Sequence, residues 1–81
     1  MIDPNKLKKG TRGVLKDGSR FILMDNKRGN IRDAEVEGLL GTSIGSMYLK
    51  DVDYVEVGND AVKLDLSRYK KQNDIIKALG F

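Results

Sequence analysis

Apolar side chains recur at every second position in several short runs of this chain, and clusters of Gly, Asn, Asp and Ser break those runs. Alternation with period two predicts half-buried strands, and the clusters predict the turns between them. Residues 11–15 read as a first strand. Asp17-Gly18 follows, a dipeptide that favours the type I′ hairpin turn with positive φ at both central positions. Residues 20–24 read as a second strand. Phe21, Ile22, Leu23 and Met24 are consecutively apolar, so this strand is expected at the centre of a sheet, covered on both faces.

Residues 25–30 form a charged loop, and Gly29 is its natural left-handed position. Ile31–Gly38 then alternates. Arg32, Ala34 and Val36 fall on one face, with Ala34 and Val36 directed inward, while Asp33, Glu35 and Glu37 fall on the other. Residues 39–45 read as a second loop, punctuated by two glycines and carrying the apolar pair Leu39-Leu40. Residues 46–49 form a fourth strand with Met47 and Leu49 inward and Tyr48 outward. A fifth, over residues 54–57, turns Val55 and Val57 inward, and Val62, Leu64 and Leu66 continue a strand pattern.

From Ser67 the period changes. Tyr69, Gln72, Ile75, Ile76 and Leu79 follow helical spacing, which predicts an amphipathic helix over residues 68–79 with Ser67 as N-cap and Gly80 just past its end. The fold class is therefore mainly β: a small five- to six-stranded, SH3-like, partly open barrel with a C-terminal amphipathic α-helix. Residues 1–9 form a basic arm, 10–66 the barrel and 67–81 the helix, within a single domain.

The 81 residues carry no Cys and no His, which removes disulfides, thiolate sites and the usual zinc ligands. No run approaches the ~20 apolar residues of a membrane-spanning helix, and residues 1–9 lack the apolar core of a signal peptide. A cytoplasmic location and no membrane partner are expected. The net charge of +3 is unevenly spread. Residues 1–24 hold six basic groups against Asp3 and Asp17, residues 25–57 hold seven carboxylates against four basic groups, and residues 58–81 return to a basic excess of two. A nucleic-acid surface requires the two basic ends to meet in space.

The segments Leu15-Lys16-Asp17-Gly18, Asp25-Asn26-Lys27-Arg28-Gly29-Asn30-Ile31-Arg32 and Ile44-Gly45-Ser46-Met47-Tyr48 resemble small uncharacterised proteins of bacteriophages and prophages, over roughly residues 10 to 57. The resemblance implies a phage-encoded accessory protein that acts by binding. Its expected partner is a host or phage protein, and a second copy of the chain is another candidate.

The candidate partner-binding residues are Asn26, Lys27, Arg28, Asn30 and Arg32 at the first loop, with Leu39, Leu40, Ile44 and Tyr48 at the second. Adjacent apolar residues in a loop suggest a contact surface. The alternative is nucleic-acid binding through Lys27, Arg28 and Arg32 together with Arg68, Lys70 and Lys71 of the helix; Arg32 could equally pair with Asp25 or Asp33. Tyr48 could stack on a base, joined by Tyr54 if their strands pair. A further alternative is a nucleotide signal held at the barrel mouth. Asp25, Asp51 and Asp53 have the spacing of turn residues rather than of a metal cage, and Gly10-x-x-Gly13 lacks the lysine and helix start of a phosphate loop. Without His, Cys or a Ser beside a base, no catalytic constellation is visible, and neither enzymatic activity nor a cofactor is expected.

Overall fold

The computed structural model describes residues 1–38 and 41–70. Among the described residues six strands form: β1 Arg12–Leu15, β2 Arg20–Leu23, β3 Ile31–Gly38, β4 Gly41–Tyr48, β5 Val52–Val57 and β6 Asp60–Val62. They make one antiparallel sheet in the order β4-β3-β2-β1-β5-β6, which is not closed. β1 to β4 follow one another as hairpins. A 3₁₀ turn, Leu49–Asp51, then carries the chain to β5, which returns to pair with β1.

The β1–β2 connection differs from the expected type I′ turn. Gly18 N–H donates to Leu15 O (2.9 Å) and Leu15 N–H to Ser19 O (2.8 Å). Gly18 has φ 90°, but Asp17 keeps negative φ. The hairpin therefore uses a three-residue loop, Lys16-Asp17-Gly18, one residue longer than expected and closed by a single left-handed glycine, and the Asp17 carboxylate accepts Ser19 N–H at 2.8 Å.

One sheet face carries the core. Phe21, Leu23, Ala34, Met47 and Val55 are buried there, joined by Leu49 of the 3₁₀ turn and by Leu7, Val52 and Leu64. The centre of the sheet is thus β2, as its apolar run predicts, though Ile22 and Met24 on the other face are only half-buried. Val36 is half-buried, and Val57, expected inward with Val55, is 44% exposed because it lies at the end of β5, past the core. Gly13 is required by close approach rather than by a turn. A Cβ there would sit 2.5 Å from Tyr54 O and 2.6 Å from the Phe21 ring.

Residues 1–9 do not form the solvated arm expected from their charge. Asp3 caps a 3₁₀ turn, Pro4–Lys6, by accepting Asn5 N–H, and both Pro4 and Leu7 are buried. Ile2 bridges to Leu64 in parallel, with Ile2 N–H donating to Lys63 O and Asp65 N–H to Ile2 O, both at 2.9 Å. The lysines of this stretch remain exposed. The burial of Leu7 and Pro4 outweighs their solvation.

Ser67, expected as a helix N-cap, is instead the first residue of a 3₁₀ turn, Ser67–Tyr69, and its N–H donates to Asp65 Oδ1 at 3.1 Å. The rest of the expected helix, residues 71–81, lies outside the described residues. Among those described, no helix is long and apolar enough to cross a membrane.

Gly13→Ala is expected to lower stability by about 2 kcal/mol through overpacking, on the order of 10 °C in melting temperature for a domain of this size. Gly45→Ala, whose Cβ would meet nothing within 4 Å, is expected to change it by less than about 0.5 kcal/mol. Equal melting temperatures for the two variants in a calorimetric scan would contradict the β1–β5 packing.

Candidate functional site

The β3–β4 ladder is unbroken, running from Ile31 opposite Tyr48 to Gly38 opposite Gly41. Residues 41–45, expected in a loop, are therefore strand. Glycine and serine have weak strand preference, but pairing against all of β3 supplies what local propensity lacks. Only Leu39 and Leu40 separate the strands, and these two candidate contact residues lie outside the described residues.

Hydrogen bonds at the two flanks fix which way each backbone group of β4 points. Met24 N–H donates to Asp33 O (2.9 Å), so the odd-numbered residues of β3 bond toward β2. Leu49 N–H donates to Asn30 O (3.0 Å), so the even-numbered ones bond toward β4. Alternation along an antiparallel pair then gives Ser43, Gly45 and Met47 to the ladder and turns the N–H and C=O groups of Thr42, Ile44 and Ser46 outward. Every residue from Gly41 to Ser46 is exposed, and Ile44 is 69% exposed at the middle of the run.

β4 carries no charge, no proline and no register slip. Natural edge strands normally use at least one such device, or brevity, to block pairing with other chains. The opposite edge does so: β6 is three residues long, begins with Asp60 and is followed by Lys63, which forms an ion pair with Asp53. Among the described residues no strand covers the eight-residue β4, which is an open edge.

The outward face beside β4 is mixed in charge. A shallow concavity of about 130 Å³ is lined by Arg12, Arg20, Ile22, Glu35, Glu37 and Thr42, among others. Arg20 stands opposite Glu37, yet no ion pair forms between them.

The charged loop is built differently from its sequence-level reading. Arg32 is 1% exposed and does not reach a phosphate-accessible surface. Its Nε donates to Gly29 O (2.8 Å), and one amino group donates to Pro4 O (3.0 Å) and Asn5 Oδ1 (3.2 Å). The other, Nη1, is buried without a partner among the described residues. Neither Asp25 nor Asp33 pairs with it. Arg32 is instead a rivet that ties the N-terminal turn and the β2–β3 loop to the sheet. Tyr69 joins the same cluster by donating from its hydroxyl to Asn5 Oδ1 (3.1 Å).

Asn30 is buried too. Asn26 Oδ1 accepts Lys9 N–H at 2.7 Å, which holds the loop against the N-terminal segment. Lys27 Nζ sits 2.9 Å from Asp33 and 3.8 Å from Asp25, and the hydrogen bond and charge of Asp33 raise its pKa. Burial pushes the Asp25 carboxyl up, but N–H donation from Asp33 and Lys27 and the nearby ammonium outweigh it and hold the pKa below the usual value. Asp25 is a loop staple, ionised at neutral pH. Of the candidate loop cations, Arg28 alone is exposed without an ion pair among the described residues.

Tyr48 is half-buried, with Lys50 Nζ 5.7 Å from its ring centre. Tyr54 cannot join it, because β5 pairs with β1 and three strands separate it from β4. Arg68 pairs with Asp3 at 3.6 Å, Lys70 is exposed, and Lys71 lies outside the described residues. Asp51 is paired with Lys50 and Asp53 with Lys63, and among the described residues no three acidic groups gather as a metal site would require.

The open edge was missed from the sequence, although one signal was present: residues 38–49 contain no charged side chain in a chain that is one-third charged.

Arg32→Ala is expected to cost about 3 kcal/mol, since it leaves a cavity and strips donors from buried carbonyls. Arg28→Ala is expected to cost less than about 0.5 kcal/mol. Urea unfolding of both variants checks this, and an unaffected Arg32→Ala protein would contradict the buried cluster. Neither a protein-family model, nor a curated protein, nor a solved structure matches the chain.

Proposed function

We propose that this chain is a non-enzymatic binding module that recognises another protein through the β3–β4 hairpin, the open edge of β4 supplying the contact. The observation carrying this reading is that edge: an uncharged, regular, eight-residue strand with alternate backbone groups turned outward and Ile44 exposed at its centre. An extended segment added to such an edge gains main-chain hydrogen bonds along its whole length. The return of β5 to β1 after a 3₁₀ turn supports an SH3-like, partly open barrel as the scaffold. The motif resemblance supports a phage or prophage accessory role in the bacterial cytoplasm, with a host or phage protein as partner.

Nucleic-acid binding is the second reading. One observation favours it: the two basic ends do meet, since Ile2 bridges Leu64 and Arg68 reaches Asp3. It loses Arg32 to the interior and Lys27 to two carboxylates.

A photo-crosslinking side chain at Thr42 is expected to give discrete protein adducts in host cytoplasm, and the same group at the exposed turn residue Asn59 is not. Equal yields at the two positions, or no protein adducts at Thr42 while nucleic acid is retained at low salt, would overturn the protein-binding reading.

A further inference from the structure

Resting on the reading of β4 as a docking edge, we infer that the partner seated on it is a second copy of this chain, paired β4 to β4 about a two-fold axis at Ile44. The strand's own pattern points to this. An isologous contact needs a surface complementary to itself, and an antiparallel two-fold between strands must pass through a pair of residues whose backbone groups both face outward. Ile44 meets that condition: the flanking hydrogen bonds and the β3–β4 register turn its N–H and C=O away from β3.

With the axis there, Ile44 exchanges both backbone hydrogen bonds with its own copy. Thr42 does the same with Ser46 of the other chain, and Ser46 with Thr42. On the outward face this sets Ile44 against Ile44 and Thr42 against Ser46, an apolar pair flanked by hydroxyl pairs, both favourable across strands. On the other face Ser43 meets Gly45, so neither of these small residues obstructs the approach. Thr42 to Ser46 are nearly palindromic in size and polarity about Ile44.

Charge argues in the same direction. A strand bearing a Lys or Glu places like charges close together when it pairs with itself, and β4 has none from Gly41 to Tyr48. The acidic row Asp33, Glu35 and Glu37 lies one strand back, on β3. In the paired sheet the two acidic rows stand three strand spacings apart, about 14 Å, beyond the ~8 Å screening length at physiological salt. A foreign strand selected for this edge would gain specificity from charges, and β4 offers none to read. The result is a continuous twelve-stranded sheet, β6 to β4 and then β4 to β6, ending on the two short, charged β6 edges.

The test is sedimentation of the full chain from a few micromolar to a few hundred micromolar, alongside Ile44→Lys, Ser46→Pro and Ala61→Lys. Ile44 is largely exposed and the Ser46 N–H makes no bond to β3, so both edge variants are expected to keep the fold, which circular dichroism checks. The expected result is a concentration-dependent dimer for the wild type and for Ala61→Lys on the opposite edge, with dimer affinity reduced at least tenfold in Ile44→Lys and Ser46→Pro. A dimer that survives both edge variants overturns the inference. A wild-type monomer throughout the range overturns it too. If that monomer still forms protein adducts at Thr42, the broader protein-binding reading stands; if it forms none, both fall.

Discussion

The register of β3 against β4 is the constraint from which the rest of this structure follows. Eight consecutive pairs, Ile31 with Tyr48 through Gly38 with Gly41, are held without a slip. Because side chains alternate, a shift of one residue would either expel Met47 from the core, if β4 slipped, or expel Ala34 and turn Asp33 and Glu35 inward, if β3 did. Burial of one face therefore locks the ladder. The same lock decides which backbone groups of β4 are consumed by β3 and which face solvent, so core packing and the character of the open edge have one cause.

Arg32 shows how far that lock reaches. It occupies an inward position of β3, two residues from Ala34 and directly opposite Met47. A guanidinium cannot stay buried without donors satisfied, and here backbone carbonyls and Asn5 do the work that a carboxylate does elsewhere. The N-terminal turn is drawn over the sheet as a consequence, which explains why a lysine-rich segment is packed rather than free. The period-two pattern had placed Arg32 on the face of Ala34 and Val36. Its charge, and its closeness to Lys27 and Arg28, pointed to the surface instead, and alternation proved the better guide.

Strands with strong alternation or apolar runs were legible in the residues: β2, the length of β3, and the inward Met47 and Val55 stand where the pattern set them, whereas Leu49 is buried as expected but in a 3₁₀ turn rather than in a strand. What was not legible depended on partners distant in sequence. Residues 41–45 have the composition of a loop and become strand only because β3 is long enough to template them. The pairing of β5 with β1, the Ile2–Leu64 bridge and the turn conformation at Asp17-Gly18 likewise follow from tertiary contacts rather than local preference. For the candidate site, Ile44 was identified as exposed, but as part of a loop. The decisive property, an outward row of backbone groups on an uncharged strand, belongs to the sheet and has no side-chain signature.

A surface made of backbone groups recognises shape and extension rather than chemistry, which suits a small chain with few aromatics and neither His nor Cys. β4 presents alternate amides to solvent. Residue-resolved amide hydrogen exchange measures this directly in dilute protein. Ser43, Gly45 and Met47 are expected to be protected while Thr42, Ile44 and Ser46 exchange rapidly, the second set gaining protection as concentration rises. Uniform protection along β4 in dilute solution, or uniform absence of it, would contradict the account.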